Sequence, residues 1–161
     1  MQVSGEERQA KVFMTIRIIK LFLLSSIWFA CEPELFDDPI PLVSFNDIVI
    51  DLSFPEYIDL NKDGGFKDVS NLEGGVRGII VYRSSSSSYR AYEKNCSLTP
   101  NEACATVEIH SSGLFLIDPC CGSSFNFSDG MPSGGPAWRP LRQYRTQING
   151  TVLTITEEII N

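Results

Sequence analysis

Thiols are the most reactive side chains in this chain, and their spacing is the first clue to its chemistry. The five cysteines are Cys31, Cys96, Cys104, Cys120 and Cys121. Four of them follow Cys31, so they can form two disulfides, and four thiols allow three pairings. The same four thiols could instead hold a zinc or iron ion, which would need all of them as free thiolates.

The adjacent pair Cys120-Cys121 makes a four-cysteine metal site awkward. Successive side chains on an extended segment point to opposite sides, whereas zinc ligand pairs usually leave two or more residues between them. Disulfides are therefore favoured, with the metal site as the alternative. The single histidine, His110, ends a β-branched run and is expected to face solvent.

No other pattern in the chain predicts catalysis. A nucleophile elbow, a phosphate loop and a histidine-bearing nucleophile pair are all missing from the sequence, which predicts a protein that is not an enzyme. Asp59, Asn61 and Asp63 resemble the start of a calcium loop, but Ser70 stands where the twelfth-position acid belongs, so we expect a solvated turn. The net charge of −7 excludes nucleic acid as a partner.

The N-terminal segment predicts export. An apolar run from Leu21 to Ala30 follows Arg17 and Lys20, and it is too short to cross a bilayer as a helix. Its end at Cys31 resembles a bacterial lipoprotein signal, in which the cysteine is lipidated and becomes the new N-terminus. We therefore predict a signal peptide over residues 1–31, with the true start at Met14, and a membrane-anchored protein of the bacterial cell envelope that faces the periplasm or the exterior.

The remainder divides into a tether and one domain. Residues 32–43 are rich in acid and proline, which disfavours helix and sheet and predicts a solvated linker. Residues 44–161 contain short alternating or β-branched runs separated by turn signals, with no sustained helical pattern. Asn149-Gly150 predicts a tight hairpin, because a type I′ turn needs positive φ. The fold class is all-β, a small antiparallel sandwich or barrel.

The second half of the domain carries motifs of a known family. It contains Asp118-Pro119-Cys120-Cys121-Gly122-Ser123-Ser124-Phe125, then Asp129-Gly130, then Gly134-Gly135-Pro136-Ala137-Trp138-Arg139-Pro140-Leu141. This stretch resembles the Rieske iron–sulfur domain, which has a Cys-Pro-x-His-Gly-Ser box and a Gly-Pro-Ala-x-x-Pro-Leu loop. The resemblance implies an antiparallel Rieske-type fold and a role in electron transfer.

The ligand positions depart from that family. A Rieske cluster is bound by two thiolates and two imidazoles. Carried over one position at a time, these ligands become Cys96, Leu98, Asp118 and Cys121. Leucine has no donor atom, and a carboxylate is a hard ligand for a soft iron–sulfur core. The sequence therefore predicts that the domain binds no cofactor and no metal; the alternative is a 2Fe-2S electron-transfer protein with non-standard ligands.

The resemblance also implies a disulfide arrangement. Many Rieske domains tie their two cluster loops by a disulfide that uses the middle residue of the second box, here Cys120, and its natural partner is Cys104. Cys96 and Cys121 occupy former ligand positions that face each other, so they form the second expected pair. The functional prediction is a binding or structural module, lipid-anchored to the membrane, whose further partner would be another envelope protein.

Overall fold

The computed structural model describes residues 38–161. The predicted signal segment, the lipidation site Cys31 and the first residues of the tether lie outside this described part. Within residues 38–161 no helix has the length and apolar character needed to cross a membrane.

A six-stranded antiparallel sheet forms the body of the domain. Its strands follow the order β1-β10-β9-β4-β3-β2. Their bounds are β1 Ile48–Asp51, β2 Phe66–Asp68, β3 Ile79–Ser85, β4 Ser88–Glu93, β9 Gln143–Asn149 and β10 Val152–Ile159. Two 3₁₀ helices, Pro55–Asn61 and Ser70–Leu72, fill the connections around β2.

A smaller sheet carries the motif-rich half of the chain. It has four antiparallel strands in sequence order, so each is joined to the next by a local connection. The strands are β5 Glu108–Ile109, β6 Leu116–Asp118, β7 Ser123–Phe125 and β8 Pro132–Gly134.

Strand β3 separates two hydrophobic cores. Alternate side chains of a strand point to opposite faces, so Ile79 and Val81 pack into one core while Ile80 packs into the other. The first core lies on the face of the large sheet that carries Leu153 and Ile155 of β10. The second core lies between the two sheets and includes these residues of the small-sheet half: Cys96, Val107, Leu116, Phe125 and Leu141.

The all-β antiparallel prediction is confirmed. The predicted hairpin is present too, but its turn differs from the expected type I′ turn at Asn149-Gly150. Asn149 pairs with Val152, so the loop residues are Gly150 and Thr151, and only Gly150 has positive φ, at +62°. The β-branched run from Val76 to Tyr82 joins the large sheet only from Ile79 onward. Val76 and Arg77 do not extend in a sheet; their amides donate to the buried carboxylate of Glu93 at 2.7 and 3.0 Å. A buried carboxylate must be hydrogen-bonded, and this requirement bends the chain before β3.

Part of the predicted tether lies against the domain. The Arg142 guanidinium donates to the carbonyl oxygens of Ile40, at 2.7 Å, and of Pro41. Arg139 donates in the same way to the carbonyl of Asp38, at 2.8 Å. Proline has no backbone N–H, so this segment does not form a sheet ladder that would supply donors to its carbonyl oxygens. The guanidinium groups of Arg139 and Arg142 supply those donors instead.

Candidate metal centre

A long loop between β4 and β5 presents the first cysteine. Asn95 and Thr106 form an isolated antiparallel bridge, and the Cys96 amide donates to the carbonyl of Ala105 at 3.1 Å. These contacts close the base of the loop directly beneath Cys96. The two arms of the loop are therefore paired like a short β-hairpin, and this pairing fixes the backbone position of Cys96.

Arg77 holds this loop from outside. Its guanidinium donates to Asn95 Oδ1 at 2.6 Å, to Thr106 Oγ1 at 3.2 Å and to the carbonyl of Ala103 at 2.8 Å. A planar guanidinium with five donors can satisfy several loop acceptors at once. One arginine thus fixes both arms of the loop that carries Cys96.

The tight turn between β6 and β7 presents the second cysteine. Asp118 ends β6, and its Oδ1 accepts the amide of Cys120 at 2.8 Å, an Asx-type turn. The Gly122 amide donates to the Asp118 carbonyl at 2.8 Å, and Gly122 takes φ +73°, which favours glycine. The turn projects Cys121 toward Cys96 and keeps the Asp118 carboxylate beside it.

A third loop, Gly135–Leu141, which we call the proline loop, lies against the other two. Gly135 takes φ +81°, and a Cβ there would lie 2.5 Å from Ser123 Cα, so only glycine fits. The Ala137 amide donates to Ser123 Oγ at 3.0 Å. Ser97 Oγ donates to the Arg139 carbonyl at 2.8 Å. The proline loop thereby fastens the turn at Ser123 to the loop at Ser97.

A disulfide joins the first two loops. Cys104 is bonded to Cys120, with their Cα atoms 5.5 Å apart. Both residues are exposed, so the bond lies on the outside of the loops. Cys96 and Cys121 are free thiols in this structure; their pairing to each other stays a prediction.

Three donor groups meet between the loops. Cys96 Sγ, Asp118 carboxylate oxygen and Cys121 Sγ all lie within 4.8 Å of one another. The two sulfurs are 3.8 Å apart, and the Cys121 thiol donates to Asp118 Oδ2 at 3.2 Å. The expectation that the domain holds no cofactor is therefore wrong, because these three residues form a group that could bind a metal ion.

Burial sets the electrostatics of this centre. Cys96 and Asp118 are fully buried, whereas Cys121 is partly exposed. Burial raises the pKa of the Cys96 thiol far above its ordinary value, and the adjacent Asp118 carboxylate raises it further. In the metal-free protein the Cys96 sulfur therefore carries its proton, and a cation that binds there must displace it.

The remaining sequence-predicted residues have other roles. Leu98 stands at a ligand position of the resemblance and packs against the core between the sheets. The His110 Nδ1 lies 2.8 Å from Ser112 Oγ, and the ring stacks on Phe115 at 4.1 Å between centroids. In the calcium-like turn, Asp63 accepts from Arg83 Nε at 3.0 Å. None of these three residues belongs to the three-residue centre.

Sequence reasoning missed Arg77 and Ser123 as supports of the centre. Arg77 follows Gly74-Gly75-Val76 in a stretch with no chemical signature, so no local signal could have revealed its loop partners. Ser123 lies inside the quoted motif; its Oγ accepts from the Ala137 amide and lies 3.1 Å from Cys121 Sγ. Its position within the motif was the available signal.

No protein-family model and no curated protein matches the chain. Solved structures do match. One is the complex of reduced oxygenase and oxidized ferredoxin in carbazole 1,9a-dioxygenase, at 19% identity over 62% of this chain and 87% of that chain, with a TM-score of 0.44. The ferredoxin of carbazole 1,9a-dioxygenase from Nocardioides aromaticivorans IC177 matches at 21% identity over 62% and 91%, with a TM-score of 0.42.

A third match is the cyanobacterial plasma membrane Rieske protein PetC3 from Synechocystis PCC 6803, at 22% identity over 55% of this chain and 94% of that chain, with a TM-score of 0.42. These matches are similarities to Rieske proteins and ferredoxins at TM-scores of 0.42 to 0.44. The sequence motifs pointed independently to a resemblance to the same family.

The side chains at the centre do not fit a standard Rieske cluster. That cluster needs two imidazoles on one of its irons. The chain has one histidine, His110, which lies on the connection between β5 and β6 and is engaged by Ser112 and Phe115. Leu98 offers no donor atom in place of the first imidazole. A metal at this centre must therefore use Cys96, Asp118 and Cys121.

Proposed function

We propose that this protein is a lipid-anchored, metal-binding module of Rieske type in the bacterial cell envelope, and that it acts by binding rather than by catalysis. One observation carries the proposal: Cys96, Asp118 and Cys121, which come from two separate loops, bring their donor atoms within 4.8 Å of one another. The membrane anchor would be Cys31, and its support is the sequence pattern alone.

The contacts that hold the loops around the three donor residues favour a metal-binding role over a chance cluster of side chains. The loops are joined by the Cys104–Cys120 bond and by the proline loop at Ser123 and Ser97, and Arg77 fixes the loop that carries Cys96. Such outer contacts fix donor atoms before a metal arrives, and metal sites depend on them for affinity. A site organised in this way loses little conformational entropy when an ion binds.

The test is the metal content of the full chain. The protein is extracted in detergent and purified without oxygen, under conditions that keep Cys96 and Cys121 reduced, and its total metal is measured by mass spectrometry. We expect bound metal in the wild type and background levels in Cys96→Ser. Reduced, folded wild type that holds no metal, even after incubation with zinc or with ferrous iron, would refute the proposal.

A matched control separates loss of a ligand from loss of a turn. Asp129 makes the same kind of Asx turn as Asp118, with its Oδ1 accepting the Met131 amide at 2.9 Å, but it is exposed. Asp118→Asn should lose the metal, because an amide is a poor replacement for a carboxylate ligand. Asp129→Asn should keep it, since that turn lies outside the three-residue centre.

A further inference from the structure

We infer that the centre takes one zinc-class divalent ion, held by Cys96, Asp118 and Cys121 with a fourth position open, and not a two-iron cluster. This inference rests on the proposed function, since it names the metal that the module binds. It follows from the separation of the donors, their burial and the side chains that surround them.

Two of the three donor separations are close to those expected on a single tetrahedral ion, and the third is below 4.8 Å. With zinc–sulfur bonds of about 2.3 Å, two thiolates on one tetrahedral ion lie about 3.8 Å apart. Cys96 Sγ and Cys121 Sγ are 3.8 Å apart. With a zinc–oxygen bond of about 2.0 Å, a sulfur and a carboxylate oxygen on the same ion lie about 3.5 Å apart. Cys121 Sγ and Asp118 Oδ2 are 3.2 Å apart.

The same separations leave no place for two irons. By the order of the Rieske motif, Cys96 and Cys121 would belong to different irons, so the width of the cluster would lie between them. Their sulfurs are instead in contact. Leu98, at the position of another ligand, is half-buried against the core between the sheets and adds no donor.

Asp118 supplies a second, independent observation. Its carboxylate is fully buried, and its two oxygens accept from the Cys120 amide and the Cys121 thiol, both of them neutral donors. Burying a carboxylate without a positive charge is costly. The buried carboxylate of Glu93 also has neutral partners, but it accepts four hydrogen bonds, from three backbone amides and the Tyr144 hydroxyl. A divalent cation would give Asp118 the charge partner that its hydrogen bonds do not supply.

The donor set selects the class of ion. Two thiolates and one carboxylate suit zinc, which is a borderline-soft ion and accepts mixed sulfur and oxygen ligands in tetrahedral geometry. Magnesium and calcium prefer oxygen ligands alone. When the ion binds, the two thiols release their protons to solvent, and the three protein ligands leave one position for water or for a donor atom of a partner. Cys121 is partly exposed, so this position can be reached from solvent.

The test counts metal and sulfide in the full chain, purified without oxygen from cells supplied with both zinc and iron. We expect one zinc per chain and no acid-labile sulfide. After chelation, Co²⁺ alone should restore one ion per chain with the absorption of a tetrahedral thiolate complex. Asp118→Asn should lose this absorption, and Asp129→Asn should keep it. Two irons with two sulfides per chain would overturn the inference while leaving the metal-binding proposal intact; reduced protein that binds no metal would overturn both.

The test does not depend on whether the substituted variants fold. The stoichiometry of the wild type decides between one ion and a two-iron cluster without any substitution. Thermal unfolding with and without added zinc gives a second measurement, since a ligand that binds only the folded state raises the melting temperature. We expect stabilisation by zinc in wild type and in Asp129→Asn. Absence of this stabilisation in wild type would contradict the inference.

Discussion

The sulfur atoms of Cys96 and Cys121 lie 3.8 Å apart although 25 positions separate the residues in the chain. Neither sulfur is in a disulfide, and the Asp118 carboxylate lies beside them. The pair can either share a metal ion or bond to each other. These states exclude one another, because a disulfide sulfur is no longer a thiolate ligand.

The Cys96–Cys121 bond predicted from the sequence is therefore expected in the metal-free, oxidised protein. With diamide as oxidant, the two thiols give up two electrons and two protons and the protein loses two hydrogen atoms, which intact mass spectrometry with peptide mapping detects. Zinc-loaded protein should resist this oxidation. If zinc offers no protection, Cys96 and Cys121 do not hold the ion.

Alkylation of Cys96 in the metal-free protein should be slow at neutral pH. Its pKa is raised by burial and by Asp118, and only the thiolate reacts. Because the folded-state pKa lies above the ordinary value of 9.0, the thiolate fraction is small at pH 8 and the rate should keep rising beyond pH 9. Iodoacetamide labelling followed by peptide mapping gives the rate at each pH. A plateau below pH 9 would contradict the raised pKa.

Removing the outer disulfide should weaken the fold and spare the metal ligands. The double variant Cys104→Ser/Cys120→Ser should lose about 2–5 kcal/mol of unfolding free energy, the usual cost in small exported domains. Because Cys104 and Cys120 are exposed while Cys96 and Asp118 are buried, the folded variant should still bind metal. Denaturant titration gives the free energy, and metal content gives the second result.

Gly135→Ala should separate the proline loop from the turn at Ser123. Alanine at φ +81° costs about 1–2 kcal/mol. The new Cβ would also lie 2.5 Å from Ser123 Cα, which adds about 1–3 kcal/mol of overpacking. Gly150→Ala is the matched control, because Gly150 has φ +62° but no atom within 4 Å of its Cβ. Metal affinity should fall for Gly135→Ala only; equal losses would mean that the loop contact is irrelevant.

Arg77→Met should loosen the loop that carries Cys96. It removes charged hydrogen bonds to Asn95 Oδ1 and to the Ala103 carbonyl and should lower the unfolding free energy by about 2 kcal/mol. Metal affinity should fall as well, since the loop positions a ligand. Arg145→Met, which breaks an exposed pair with Glu158, is the control and should change neither quantity. An unchanged metal affinity in Arg77→Met would show that the loop holds Cys96 without it.

Cys31→Ser should release the protein from membranes if Cys31 is the lipid anchor. Acyl chains supply the hydrophobic attachment, and the variant has no thiol to carry them. Membrane fractionation and metabolic labelling with palmitate measure the two effects. Retention of unlabelled Cys31→Ser in the membrane fraction would point to a different anchor.

Local patterns in the sequence determined the fold class and the hairpin. Strand alternation and turn residues act over a few positions, so the hairpin could be placed from Asn149-Gly150, although the loop is shifted by one residue and only Gly150 has positive φ. The order of Pro119, Gly122, Ser123 and Gly135 indicated the Rieske type through its resemblance to the motifs of that family.

Only the tertiary structure decided what the centre can do. The sequence showed which ligand positions had changed and suggested that no metal would bind, but it contained no distance between Cys96, Asp118 and Cys121. That distance depends on contacts between segments far apart in the chain: the Arg77 hydrogen bonds, the close approach of Gly135 to Ser123 and the packing of Leu98 into the core. Each of these contacts is nonlocal, and together they bring two thiols and a carboxylate close enough to share one ion.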